Sequence, residues 1–157
     1  MPKIDVAALP VLTGTVYPAP YDEAVRGRAR RKLGDAAGLT QFGVNLVRLA
    51  PGAASSHRHW HAREDEFLMV LEGEVVLDED DGETVLRAGD AAGFPAGRAV
   101  GHRLVNRTDR DAVILEIGTR STDDVSTYTQ ADVDMQAVKR GTDAWTMLRK
   151  DGSPHGT

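Results

Sequence analysis

Between Gly38 and Gly118 short apolar runs alternate with turns built on Gly and Pro, and this rhythm constrains the fold more than any other feature of the chain. Phe42 to Ala50 ends at Pro51-Gly52. Glu66 to Leu71 reads EFLMVL, Glu74 to Asp78 reads EVVLD, and Thr84 to Arg87 follows Asp81-Gly82. That Asp-Gly pair is expected at the centre of a tight hairpin, where both residues need positive φ. A short run to Phe94-Pro95, then His102 to Val105 and Ala112 to Ile117, complete the series. Apolar residues at helical spacing are absent from this region. Short strands separated by turns at such intervals predict an all-β sandwich or closed barrel.

The 157 residues suffice for one core with extensions, not for two cores. The expected division is an N-terminal extension (1–37) packing on the barrel, the barrel itself (38–120), and a C-terminal tail (121–157). The tail is polar apart from Trp145 to Leu148, and is expected to lie across the barrel or a partner subunit. The net charge is −5 and the basic residues are scattered. A nucleic-acid binder needs a basic face to displace counterions, so that class is set aside. The absence of cysteine removes disulfides, thiolate ligands and thiol nucleophiles. No stretch approaches the ~20 apolar residues of a membrane span, and Met1 to Leu12 lacks a secretory apolar core. A soluble, cytoplasmic protein is expected. The one basic stretch, Arg26, Arg28, Arg30, Arg31 and Lys32, is read as a solvated loop or short helix, with an anion grip as the sharper alternative.

Histidine carries the chemical information. The chain has five, and three fall at alternate positions in His57-Arg58-His59-Trp60-His61. On a strand these project to one side. Two imidazoles at i and i+2 can both reach one ion at roughly 2.0–2.1 Å. Glu66 follows after a polar turn, where a hairpin would return its carboxylate to the imidazoles, and His102 on a later strand would supply a fourth ligand. From spacing alone, His57, His59 and Glu64 form as good a set as His59, His61 and Glu66.

The surrounding residues resemble the two motifs of the cupin family. Its first motif runs Gly, five residues, His-x-His, three or four residues, Glu, six residues, Gly; here Gly52, His59, His61, Glu66 and Gly73 match, with one extra residue after Gly52. The second runs Gly, five residues, Pro-x-Gly, two residues, His, three residues, Asn; Gly89, Pro95, Gly97, His102 and Asn106 match, with two extra residues before His102. The closing glycine selects the register, because the alternative set would put Leu71 where Gly73 belongs. Gly73 also stands where the chain must turn tightly between EFLMVL and EVVLD.

The resemblance, which spans Val44 to Gly118, implies a double-stranded β-helix (jelly-roll barrel) and one divalent metal held by His59, His61, Glu66 and His102. A nitrogen and oxygen donor set without sulfur suits Fe, Mn, Ni or Zn. Vacant positions on the ion would accept a small oxygenated substrate, which makes a dioxygenase, isomerase or lyase the expected activity; a non-catalytic small-molecule-binding or sensing module is the alternative. His57 is read as a partly exposed surface residue, and Glu64, Asp65 and Glu72 as solvated. Arg48 and Arg103 are possible grips for a carboxylate or phosphate, although alternation turns Arg103 away from His102. Apolar residues such as Phe67, Met69 and Leu71 suggest a homodimer. Neither nucleic acid nor a membrane is expected as a partner.

Overall fold

The computed structural model describes residues 3–155, so the outermost residues of both expected extensions lie outside it. Among the described residues twelve strands follow one another: β1 (Arg28–Lys32), β2 (Phe42–Leu49), β3 (His59–His61), β4 (Glu66–Glu72), β5 (Glu74–Glu79), β6 (Gly82–Arg87), β7 (Ala91–Phe94), β8 (His102–Val105), β9 (Ala112–Thr119), β10 (Asp123–Tyr128), β11 (Gln136–Arg140) and β12 (Thr146–Leu148). They form two antiparallel sheets, one in the order β1-β2-β9-β4-β7 and the other β12-β11-β10-β3-β8-β5-β6. The expected all-β jelly roll is the observed fold. A 3-10 turn (Tyr21–Val25) and a single helical turn (Leu33–Ala36) interrupt it.

Alternation decides what enters the interior. The inner face of the five-stranded sheet carries Val47 and Leu49 from β2, Ala112 and Ile114 from β9, and Leu68 and Val70 from β4. The facing sheet supplies Val75, Leu77 and Leu104, and these side chains form one buried cluster. Each large one contributes about 1.5–3 kcal/mol by leaving water. Further along the same strands the inward positions turn polar: Asn45 on β2, Glu116 on β9 and Glu66 on β4. The apolar half closes one end of the barrel and the polar half opens a cavity at the other.

Two turns refine the sequence expectations. The β5–β6 hairpin pairs Glu79 with Gly82, so Asp80 and Asp81 occupy its centre and only Gly82 has positive φ. The pairing of flanking strands, not the Asp-Gly dipeptide, set the register. Gly73 does make the sharp β4–β5 turn, at φ 78°; a Cβ there would lie 2.9 Å from the Asp111 carbonyl oxygen.

Polarity concealed four strands at the margins. The basic stretch is neither loop nor helix from Arg28 onward: it is β1, paired with β2 over five residues and bridged at Arg30 to Leu12. Residues 123–148 extend the seven-stranded sheet, with β10 directly beside β3. A second cluster of Tyr128, Val133, Met135 and Ala137 lies there, packed by Tyr17, Tyr21, Trp145 and Met147. On the outside, Phe42, Phe67, Leu71 and Val85 remain exposed. No helix among the described residues is long and apolar enough to cross a membrane.

Candidate metal centre

Three residues of β3 place two imidazoles. His59 and His61 share the inward face of this strand, which is held by β10 on one side and β8 on the other. The β3–β8 register sets His102 directly opposite His59. Glu66 comes from β4 in the other sheet, beside Gly118 on β9.

The four side chains named in the sequence therefore meet. His102 Nε2 lies 2.7 Å from Glu66 Oε2, His59 Nε2 lies 3.8 Å from the same oxygen, and His61 Nε2 lies 3.7 Å from Oε1. Ligand atoms of His59, His61 and Glu66 all fall within 4.8 Å of one another, a spacing suited to one ion, and His102 joins through its contact with Glu66. The ring of Phe94 stacks on His102 at 3.6 Å and 3°, fixing that imidazole against the apolar half.

The opposite ring nitrogens are engaged in the way a metal ligand requires. His59 Nδ1 donates to the His57 carbonyl oxygen at 2.9 Å, and His61 Nδ1 donates to Asp124 Oδ2 at 2.6 Å. Each bond places the proton on Nδ1 and leaves the Nε2 lone pair facing Glu66. His102 differs, since its buried Nδ1 has no partner among the described residues.

The electrostatics favour His59 and Glu66 as free donors, and hold the proton on His61 more tightly. Burial, reinforced by the neighbouring His61 and His102, brings His59 down to about 4 despite the pull of Glu66, so it is a neutral donor at physiological pH. Burial works to raise Glu66, but the hydrogen bond from His102 and the three imidazoles outweigh it and hold the carboxyl at about 2. For His61, burial is outweighed by the Asp124 hydrogen bond and the carboxylates of Glu66, Asp124 and Glu64, and its affinity for a proton rises.

Three expectations about individual side chains need correction. His57 is not a surface residue: it is buried, with Nε2 2.8 Å from the Tyr21 carbonyl oxygen and Nδ1 3.2 Å from Gln130 Oε1. The 3-10 turn and the loop after β10 cover it, and neither contact is visible in local spacing. Glu64 is not solvated but buried; it accepts from Lys139 Nζ at 2.7 Å and from the Ser121 amide at 2.8 Å. With Asp124 and His61 it forms a second carboxylate and imidazole group, yet both acids are already engaged, Asp124 also accepting the Arg63 amide at 2.8 Å. This group is a brace behind His61. The third correction concerns the basic stretch, because Arg28, Arg30 and Lys32 face the cavity at alternate positions of β1. Arg48 does not, being tied to Asp111 at 3.3 Å; Arg103 borders the cavity, with its Nε held by Asp78 at 2.7 Å. Glu72 is exposed, as expected.

The cavity in front of the cluster measures about 590 Å³, within the range of small-molecule sites. Its wall opposite β3 includes Asn45 and Glu116, and Thr15 to Tyr17 of the N-terminal segment border it. Burial and the Glu66 charge push Glu116 up to about 7, with Arg28 and Arg30 pulling the other way. Sequence reading passed over Glu116 and Asp124. A lone acid inside the apolar run Val113-Ile114-Leu115-Glu116-Ile117 was the available sign for the first; the second carried none, because its partner is 63 residues away.

Comparisons with known proteins agree with this architecture. Residues 45–118 match the Cupin domain family model. A sugar phosphate isomerase of the cupin superfamily from Silicibacter pomeroyi is 47% identical, covering 99% of this chain and 98% of its own, with a TM-score of 0.92. A candidate sugar phosphate isomerase from Acidithiobacillus ferrooxidans is 28% identical over 83% of this chain and 81% of its own, with a TM-score of 0.71. The uncharacterized protein YdbB of Bacillus subtilis is 37% identical over 71 residues, which are 45% of this chain and 63% of YdbB; the match thus spans less than two thirds of that relative. The polyketide cyclase RemF of Streptomyces resistomycificus, 18% identical with a TM-score of 0.64 over 84% of this chain and 89% of its own, shares the fold.

Proposed function

The chain belongs to the cupin superfamily, and on that premise we propose that it is a divalent-metal enzyme that isomerises a small phosphorylated sugar. The observation that carries this reading is the convergence of three imidazole Nε2 atoms on the Glu66 carboxylate at the inner end of an open cavity. His59, His61, Glu66 and His102 would hold the ion. The donor chemistry fits, because two of the imidazoles already have the tautomer a ligand needs and Glu66 is ionised. Fe, Mn, Ni and Zn all accept such a set. When bound, the metal supplies Lewis-acid polarisation of a substrate carbonyl or hydroxyl oxygen.

The remaining chemistry falls to side chains of the chain. Interconversion of an aldose and a ketose moves a proton between neighbouring carbons, and one positioned group can take it and return it. Glu116 faces the cavity and binds a proton at about 7, a value suited to both directions near neutrality. Asp124, braced by the Arg63 amide, keeps His61 from rotating. The names of the two isomerase-like structures support the substrate class.

The test pairs elemental analysis of untagged protein with NMR of aldose phosphates incubated with it. One ion per chain, its loss in His61→Ala, and appearance of the ketose phosphate are expected. Absence of stoichiometric metal would refute the reading. Bound metal without turnover of any aldose phosphate would favour a small-molecule-binding module instead.

A further inference from the structure

The cavity has two chemically different ends, and the reading above uses only one. The His59, His61, Glu66 and His102 cluster lies between β3, β4 and β8. Across the five-stranded sheet, β1 presents Arg28, Arg30 and Lys32 on its inward face, opposite Leu49, Val47 and Asn45 of β2. From β1 to β4 there are three strand spacings, roughly 14 Å along the sheet, and the cavity spans that distance.

The three cations are not equivalent. Arg28 is already committed, with Nη1 donating to the Ser55 carbonyl oxygen at 2.5 Å and Nη2 to that of Gly14 at 3.3 Å. Lys32 is exposed and sits 3.5 Å from Asp35. Arg30 is half-buried, and among the described residues its guanidinium has no hydrogen bond or ion pair of its own. Burial and the charge of Arg28 make it less comfortable as a cation, while Glu116 is the acid that favours it. A desolvated guanidinium with free donors is costly unless an anion completes it. Its planar fork suits the oxygens of a phosphate monoester.

We infer that Arg30, held in place beside Arg28, is the anion subsite of this cavity and seats the phosphate of the substrate, leaving the sugar hydroxyls to face the imidazole cluster. The inference rests on the isomerase reading for its sugar half; the anion half stands on β1 alone. Phosphate at Arg30 also brings the middle of an extended sugar past Glu116, which lies between β2 and β4.

Calorimetric titration of chelator-treated protein with inorganic phosphate, ribose 5-phosphate and ribose tests it. Saturable binding of both phosphates and none of ribose is expected. Arg30→Met should weaken both phosphates about 10–100-fold, the range for one charge-assisted bidentate contact. Arg30→Lys, which keeps the charge and loses the fork, should fall between, and serves if the Met variant does not fold. Phosphates that fail to bind the wild type, or that bind the variants equally well, would overturn the proposal. Phosphate binding that is lost in Arg30→Met, in a protein that converts no aldose phosphate, would uphold the subsite and refute the isomerase reading.

Discussion

Glu116→Gln should stabilise the metal-free protein by an amount that grows with pH. In the unfolded chain this carboxyl titrates near 4.5, and in the fold at about 7. Below 4.5 it is protonated in both states and costs nothing. Between 4.5 and 7 the unfolded chain ionises first, so stability falls as pH rises, and the loss is complete above 7. The distance between the two values corresponds to ~3 kcal/mol at 1.36 kcal/mol per tenfold change in proton affinity. Water in the cavity screens part of this, and the glutamine withdraws the counter-charge near Arg30, so about half, ~1.5 kcal/mol, is expected at pH 8. With a urea dependence of about 2 kcal/mol/M, the midpoint of Glu116→Gln should exceed that of the wild type by roughly 0.7 M at pH 8. At pH 4.5 the two should nearly coincide. Tryptophan fluorescence can follow the unfolding, since Trp60 and Trp145 both lie near the site. A difference that stays flat from pH 5 to 8, or a variant less stable at pH 8, would refute the placement of a strained carboxyl at this position.

Asp124→Asn should weaken metal affinity about 10–100-fold by releasing His61 Nδ1, read by competition with a chromogenic chelator; unchanged affinity would remove Asp124 from the site. Lys139→Ala should cost about 3–5 kcal/mol, because it leaves the buried Glu64 without its ammonium, and Lys139→Met combined with Glu64→Gln should recover most of the loss in urea unfolding. Gly73→Ala should lower stability by about 1–2 kcal/mol for the left-handed backbone alone, before the close approach to Asp111 is counted. A thermal scan showing no fall would contradict the geometry of that turn.

The barrel was legible because most of its strands announce themselves locally, as short apolar runs separated by turns at Gly or Pro. The cluster was legible through the two motifs: spacing alone left His57, His59 and Glu64 as good a set, and Gly73 decided between them. What remained hidden depended on distant partners. In RARRK no apolar residue marks an inner face, because the inner face itself is cationic and the strand is held by backbone pairing with β2. Glu64 sits in a polar turn that looks solvated until Lys139, 75 residues later, folds over it. His57 is covered by partners that local spacing does not reveal: the Tyr21 carbonyl and Gln130 amide oxygens and the rings of Tyr17, Tyr21 and Tyr128.

The shortness of β3 has a consequence for portability. Three residues cannot hold their own position, and β10 pairs with all of them while β8 pairs with one. A barrel trimmed to residues 38–120 would retain every side chain of the two sequence motifs, yet leave His59 and His61 on an unsupported edge and delete Asp124. The motifs are therefore not a transplantable cassette. Moving this site to another scaffold means moving the later strand that steadies it, and trimming the C-terminal region here should loosen the His59 and His61 pair before it unfolds the barrel.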